Sequence, residues 1–271
     1  MKPKLATLLS IAGSDPTGGA GIQADIRVGA RLGVHVMTAV TAVTVQNSKG
    51  LHHYGTISSE MLENQLNAIL EDCIPDVVKI GMIGSLKNGH IIKDFLKKLP
   101  KHVPVVIDPI FSASSNGKIM IEKGDTGAWV NMYLKKLFPL VTVATPNFKE
   151  LKILLDNDCL DGWDFKEVRK LLNLEFCIIT GEINSENQII DYLIGPHYTM
   201  PYIHPAIECQ NMHGSGCTYS SLLACYLANN FNIIEAFKFA NYHMGLIIEN
   251  SCRYSFGSSD YGPLDINKFQ L

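Results

Sequence analysis

Residues 5–32 read "LATLLSIAGSDPTGGAGIQADIRVGARL", and the fold turns on how that stretch divides. Its first eight residues are a short, mostly apolar run leading to a glycine, the pattern of a short strand buried on both faces. Residues 13–21 then interrupt the run with Pro16, Gly18, Gly19 and Gly21, and residues 21–32 place Ile22, Ile26 and Ala30 at fourfold spacing with Gly33 as the stop. That second pattern is a helix. Strand, glycine turn and helix form the opening unit of a parallel sheet covered by helices.

The chain repeats this rhythm. "VHVMTAVTAVTV" (34–45) is rich in β-branched residues and predicts a second strand. Residues 58–72 start at a serine cap and set Met61, Leu62, Leu66, Ile69 and Leu70 on one helical face. Strand-like runs recur at 76–83, 103–108, 140–144 and 175–180, with helices expected over 85–98, 124–137 and 147–172. "QIIDYLIG" and "HYTMPYIH" flank Gly195-Pro196 and predict an antiparallel edge hairpin over 188–203. Two helices, 215–228 and 232–250, close the pattern. No linker divides it, so residues 1–271 are expected to form a single α/β domain: three layers, doubly wound, with a mostly parallel sheet and helices on both faces.

Composition narrows the partners. With 271 residues, 46% hydrophobic and 18% charged, and a formal net charge of −3, the chain has no broad basic surface. Nucleic acid and anionic membrane are therefore not expected as partners, and a small molecule is. The apolar run at the start is broken by Gly13 and Asp15 and is too short to span a membrane; a cytoplasmic location is the expectation. Seven cysteines (73, 159, 177, 209, 217, 225 and 252) form no C-x-x-C pair, which argues against a disulfide framework or zinc knuckle. Apart from Cys217 they read as buried small hydrophobes.

In such a sheet, ligands bind beyond the carboxyl ends of the strands. Those ends carry "GSDPTGGAGIQAD", "QNS", "GMIGS", "DPIFSASSNGK", "TPNFKE" and "TGE". Gly19-x-Gly21-x-x-Ala24 formally matches a dinucleotide fingerprint, but "GSDPT" separates it from the strand, and Gln46 and Asn47 stand where an acidic residue is required. No lysine follows the glycines as in a phosphate-binding loop. Gln46 offers an amide donor and acceptor that match an amino group and the adjacent ring nitrogen of an aminopyrimidine; the alternative is a solvated loop residue. Asp25 suits a ligand hydroxyl, or is a surface carboxylate favoured by the helix dipole. Met82 packs on a flat ring or in the core. Asp108 ends an apolar strand, where a carboxylate is costly to bury without a partner. Asn147 and Glu150 lie three apart at a helix start and so share a face. Glu150 suits a water-ligated Mg²⁺, and Asn147 reads equally as a helix cap after Pro146.

"NMHGSGCTYSS" (211–221) organises these positions. A glycine-rich turn at a helix N-terminus is an anion site, able to cradle a transferring phosphoryl group. Cys217 falls in the first turn, where the helix dipole is expected to lower a thiol's pKa and suit it to take a proton from a substrate hydroxyl. His213, beside the turn, reads as a packing or capping residue.

Taken in order over residues 8–221, "IAGSDPTGGAGIQADIR", "TAVTVQNS", "VKIGMIGS", "VVIDPI", "TPNFKE" and "HGSGCTYSS" resemble the motifs of the hydroxymethylpyrimidine/phosphomethylpyrimidine kinases. This family is the thiamine (vitamin B1) branch of the ribokinase-like superfamily. The resemblance implies a homodimeric kinase that uses ATP and Mg²⁺ to phosphorylate 4-amino-5-hydroxymethyl-2-methylpyrimidine and then its monophosphate. It gives Cys217 the catalytic place that an aspartate holds in the wider superfamily, with Gly214, Ser215 and Gly216 completing the anion hole. It sets Gly13, Asp25, Gln46 and Met82 around the pyrimidine. Asp108, Asn147, Glu150 and Thr180 fall toward the nucleotide, with Asp108 and Glu150 toward Mg²⁺. Where the family commonly has Lys-Gly-Gly, this chain has Thr180-Gly181-Glu182. A positive charge is lost and a negative one added, so the second phosphorylation is expected to be the weaker, unless Lys118 substitutes. Pyridoxal (vitamin B6) kinases share the scaffold and are the alternative; Gln46 favours the aminopyrimidine. A non-catalytic ligand-binding homologue rests only on the missing lysine.

Overall fold

The computed structural model describes residues 4–111, 125–156, 164–258 and 261–267. The first strand, β1 (Thr7–Ser14), leads through the glycine turn into α1 (Gly21–Arg31), as the opening stretch predicts. There follow β2 (His35–Asn47), β3 (Gly50–Thr56), α2 (Ser59–Asp72), β4 (Val77–Ile80), α3 (Leu86–Leu96) and β5 (Val105–Ile107). Next come α4 (Thr126–Asn131), β6 (Val143–Ala144), α5 (Phe148–Leu155), α6 (Phe165–Leu172) and β7 (Phe176–Ile183). The hairpin β8 (Gln188–Ile194) and β9 (Thr199–Pro205) precedes α7 (Ser215–Ala228) and α8 (Ile233–Ser251).

All nine strands make one sheet in the order β3-β2-β1-β4-β5-β6-β7-β8-β9. The six inner strands, β2, β1, β4, β5, β6 and β7, pair in parallel, and β3, β8 and β9 are antiparallel at the edges. Side chains alternate across β1, so Leu8 enters one core and Leu9 and Ile11 the other. The Leu8 face packs on α1, α7 and α8, the opposite face on α2 to α6. The result is the doubly wound, three-layer arrangement with an antiparallel edge that the spacing predicts.

Four local expectations change. β3 was not foreseen, because "GLHHYGT" lacks the alternation that marks a half-buried strand. The single helix expected over 147–172 is two, since Asp156 takes a left-handed conformation (φ 49°) and ends α5. The helix expected over 124–137 passes after α4 into π-helical turns at Met132–Leu137. On α2, Leu62 and Leu66 are buried while Met61 faces solvent.

The chain reverses direction across the sheet at β1, with β2 on one side and β4 on the other. The crevice at this switch point is where an α/β sheet receives a ligand.

Candidate active site

Two glycine-rich segments distant in sequence interlock at the crevice. The Asp15 carboxylate accepts from Thr17 N (2.9 Å), Thr17 Oγ1 (2.8 Å) and Ala20 N (2.9 Å), so the turn 15–20 wraps around it. Its fourth contact is His213 Nε2, 2.7 Å away. Burial works against ionising Asp15, but the bonds from His213 and Thr17 outweigh it and hold the carboxyl below its usual range. Gly214 (φ 81°) caps α7, and a Cβ there would fall 1.9 Å from the Gly19 carbonyl oxygen. At Gly19 a Cβ would lie 2.5 Å from the His213 ring. Glycine at both positions is what lets the two backbones meet. His213 is thus a buried tie between the segments and not a helix cap, and its Nε2 also lies 3.3 Å from the Gln46 amide nitrogen.

Gly13 and Met82 come together at the carboxyl ends of β1 and β4. A Cβ on Gly13 would stand 3.0 Å from Met82 Sδ, and Met82 is 8% exposed. Gln46, half-buried on β2, stands beside His213. These three of the four residues expected around a ring therefore gather on the crevice side of the sheet.

Asp25, the fourth, does not face a ligand. It is fully buried, and its carboxylate is taken up by Lys79 Nζ (2.8 Å), Ser10 Oγ (2.5 Å) and Ser221 Oγ (2.5 Å). Lys79 is itself 0% exposed. Burial works against its ammonium, but Asp25, Cys217 and Asp108 more than reverse that and leave the pKa raised. This ion pair forms a charged but net-neutral floor beneath the first turn of α7. Lys79 was not singled out from sequence; its one signal was a charge at the centre of the apolar run "DVVKIGMI".

Cys217 stands above this floor. The expectation that the helix end lowers its pKa is not met: burial pushes the thiol up to about 12. Lys79 and the Gly21 backbone N–H work in the opposite direction, while Asp108 and Asp25 add to the rise. Burial is the largest cause, although the residue is only half-buried by its exposed surface, and the two carboxylates add to it. The anion hole also differs in detail. The Ser215 N–H is donated to Met212 O (3.1 Å) and is spent within the turn. Gly216 and Cys217 lie in the first turn of α7, whose N–H groups have no intrahelical carbonyl.

Asp108 follows β5 and is 5% exposed, near enough to Gly216 that a Cβ there would stand 3.5 Å from its Oδ2. Burial raises its carboxyl to about 6, with Asp25 adding to the rise and Lys79 opposing it. Glu150, 8% exposed, is raised well above its usual value by burial and then by Asp108. Asn147 and Glu150 form a capping box on α5: Asn147 Oδ1 accepts from Glu150 N (3.0 Å) and Lys149 N (2.9 Å), and Glu150 Oε2 accepts from Asn147 N (2.9 Å). The Asn147 side-chain oxygen is therefore a cap. Tyr133, from the π-helical turns, adjoins the same carboxylates; burial and then Glu150 and Asp108 push its hydroxyl up, and that hydroxyl has no hydrogen-bond partner among the described residues.

This donor set fits a hard cation. Two buried carboxylates, both raised by burial and Glu150 further raised by Asp108, gain from a divalent ion between or beside them. Among the described residues no cluster of three or more His, Cys, Asp or Glu side chains is placed to hold a metal. A site with only two carboxylates suits Mg²⁺, which keeps waters and phosphate oxygens in its shell.

A cavity of about 170 Å³ opens on the far side of α7's first turn, lined by Thr145, Thr180, Ser215, Gly216, Tyr219 and Asn241. Thr180 donates its N–H to Pro146 O (3.2 Å), and Gly181 (φ 83°) donates to Asp191 Oδ1 (2.7 Å). Glu182 turns toward β8, where the Tyr192 hydroxyl hydrogen-bonds it. Lys118 and the segment 112–118 lie outside the described residues.

Comparison with known proteins follows this geometry. The family model described as "Phosphomethylpyrimidine kinase" matches residues 15–265. The chain is 33% identical to a hydroxymethylpyrimidine/phosphomethylpyrimidine kinase of Bacillus subtilis over 261 residues, covering 94% of this chain and 92% of that protein. Phosphomethylpyrimidine kinase from Clostridium difficile superposes with a TM-score of 0.75 at 31% identity, over 90% of this chain and 99% of the other. Pyridoxal kinase from Staphylococcus aureus, solved with ADP, superposes with a TM-score of 0.84 at 25% identity, over 97% and 94%. No helix among the described residues is long and apolar enough to cross a membrane.

Proposed function

The chain belongs to the phosphomethylpyrimidine kinase family, and from that premise we propose how its site carries out phosphoryl transfer. The enzyme is a kinase that moves the γ-phosphoryl group of ATP to the hydroxymethyl group of an aminopyrimidine, and then to the resulting monophosphate, in thiamine biosynthesis. The observation that carries the mechanism is the uncapped first turn of α7, with Cys217 in it, Asp108 beside it and the Lys79–Asp25 pair beneath.

On the acceptor side, Gly13 leaves room beside Met82 for a flat ring, and Gln46 reads the ring edge with its amide. Asp15 fixes the His213 ring, which packs beside the Gln46 amide. The Gly216 and Cys217 N–H groups face the transferring phosphoryl oxygens and stabilise charge as it spreads over them. Cys217 accepts the hydroxymethyl proton as the oxygen forms its bond to phosphorus and ADP departs. Asp108 and Glu150 would hold Mg²⁺, which would neutralise phosphate charge when bound. The cavity lined by Thr180 and Gly216 receives the nucleotide side. Asp25 and Asn147 act through the scaffold, one under Lys79 and one at the α5 cap. The chain works as one kinase domain, in the cytoplasm, as a homodimer.

Pyridoxal kinase is the second reading, favoured by the S. aureus superposition. Mass spectrometry of products from ATP, Mg²⁺ and the hydroxymethylpyrimidine, run beside pyridoxal, separates the two. Faster product formation from pyridoxal would overturn the aminopyrimidine assignment. Gln46→Leu is expected to cut kcat/KM for the aminopyrimidine about 10–100-fold, the cost of an unpaired polar edge of roughly 1–3 kcal/mol. Pyridoxal turnover in the same variant should change far less.

Thr180 accounts for a second expectation. Without the usual lysine, the monophosphate gains less at this end of the site than the alcohol does. Thr180→Lys should raise kcat/KM for the monophosphate about tenfold, a charge-assisted bond of roughly 1.5 kcal/mol, and leave the alcohol near its original value. Equal effects on both substrates would remove the charge explanation.

A further inference from the structure

The cysteines were expected to be buried apart from Cys217, but Cys252 is exposed and Cys209 half-buried. They are 43 positions apart and meet at one surface cavity of about 490 Å³, lined by Glu208, Cys209, Gln210, Asn211, Cys252 and Tyr254. Cys252, the C-cap of α8, directs its Sγ to Ile248 O (3.1 Å) and to the carbonyl of Glu208 (3.6 Å), the residue bonded to Cys209. Cys209 Sγ lies 4.0 Å from Asn211 O, and Cys252 is among the groups that raise the Cys209 thiol.

The backbone around the pair is already fixed. Asn211, two residues beyond Cys209, donates from Nδ2 to Ser251 O (2.7 Å) and Tyr254 O (2.6 Å), binding the segment before α7 to the end of α8. Asn211 is itself buried. The two cysteines thus line one cavity between segments that Asn211 ties together.

We propose that Cys209 and Cys252 form a reversible redox clamp that ties the segment leading to His213 to the end of α8. Disulfide exchange with a small disulfide such as glutathione disulfide completes it in two steps. The exposed Cys252 thiolate attacks one glutathione sulfur, forming a mixed disulfide and releasing one glutathione thiolate. Cys209, deprotonated in turn, then attacks the Cys252 sulfur and expels the second. Two protein thiols are oxidised, one glutathione disulfide is reduced, and both thiol protons end on two glutathiones. Burial and the neighbouring thiol push Cys209 up to about 11, which suits it to the resolving step and not the first attack.

The test treats full-length protein with glutathione disulfide, alkylates the remaining thiols and maps the peptides. Wild type should lose two hydrogens and yield a Cys209–Cys252 cross-linked peptide that dithiothreitol reverses. Cys209→Ser should stop at a stable glutathione adduct on Cys252, and Cys252→Ser should form no cross-link. Oxidised wild type should melt several degrees higher than reduced, because a loop of this length is closed in the unfolded chain. A lasting glutathione adduct on wild-type Cys252, a cross-link through another cysteine, or an unchanged Tm on oxidation would overturn the clamp.

Discussion

Cys217→Ala is expected to lower kcat about 10²–10⁴-fold, the range that follows loss of a positioned general base. The fold should survive, since alanine is compatible with the helix and keeps the backbone carbonyl of residue 217 that accepts from Ser220 and Ser221. KM should change little, because the N–H groups of Gly216 and Cys217 belong to the backbone and remain. Single-turnover and steady-state rates on the purified variant check this, and a rate near wild type would reduce Cys217 to packing.

The raised thiol sharpens the same prediction through pH. With its pKa at about 12, Cys217 is protonated at neutral pH, and its base form grows tenfold for each unit of pH below that value. Where deprotonation limits the step, log(kcat/KM) rises with unit slope from neutral into alkaline solution, for as long as the fold holds. Cys217→Asp removes that slope, because a carboxylate is ionised across the same range even when Asp108 and Asp25 raise it by a few units. The variant should therefore exceed Cys217→Ala and show a pH profile whose limb lies at lower pH. A pH-independent rate in wild type would exclude the thiol as the group that titrates.

The sheet and its crevice were legible because the relevant patterns are local. Apolar runs, fourfold spacing and glycine punctuation each follow from neighbouring residues, whereas the close approach of Gly19 and Gly214 emerges only in the fold. What was not legible depends on pairing across the chain. Asp25 and Lys79 are 54 positions apart, and nothing near either one tells that the other is its partner. A carboxylate in the first turns of a helix looks like a dipole-favoured surface residue until its burial is known. The thiol was misjudged for the same reason. The helix dipole that would lower its pKa is a local feature, whereas the enclosure and the carboxylates that raise it come from β5 and α1. β3 escaped because an edge strand with half its residues in solvent need not alternate.

The largest stability effect is expected at that hidden pair. Lys79→Met leaves the Asp25 carboxyl in an apolar interior with only the Ser10 and Ser221 hydroxyls as partners, and breaking a buried pair from one side costs about 3–5 kcal/mol. For a chain of this size that corresponds to a fall in Tm of roughly 6–20 °C. Asp25→Asn should cost less, since the amide oxygen still accepts from a serine, but it leaves the Lys79 ammonium unpaired. Combining Lys79→Met with Asp25→Asn removes both charges and should recover much of the single-variant loss, because a buried ion pair contributes little net stability over a neutral replacement. The double variant should nevertheless remain a poor kinase. Lys79 is what opposes the rise of the Cys217 thiol, so without it the base form becomes scarcer still and the alkaline limb moves to higher pH. Urea denaturation and pH–rate profiles on the three variants check both halves. Additive destabilisation in the double variant would show that the pair is not an interacting charge couple. Full activity there would show that the floor serves the fold alone.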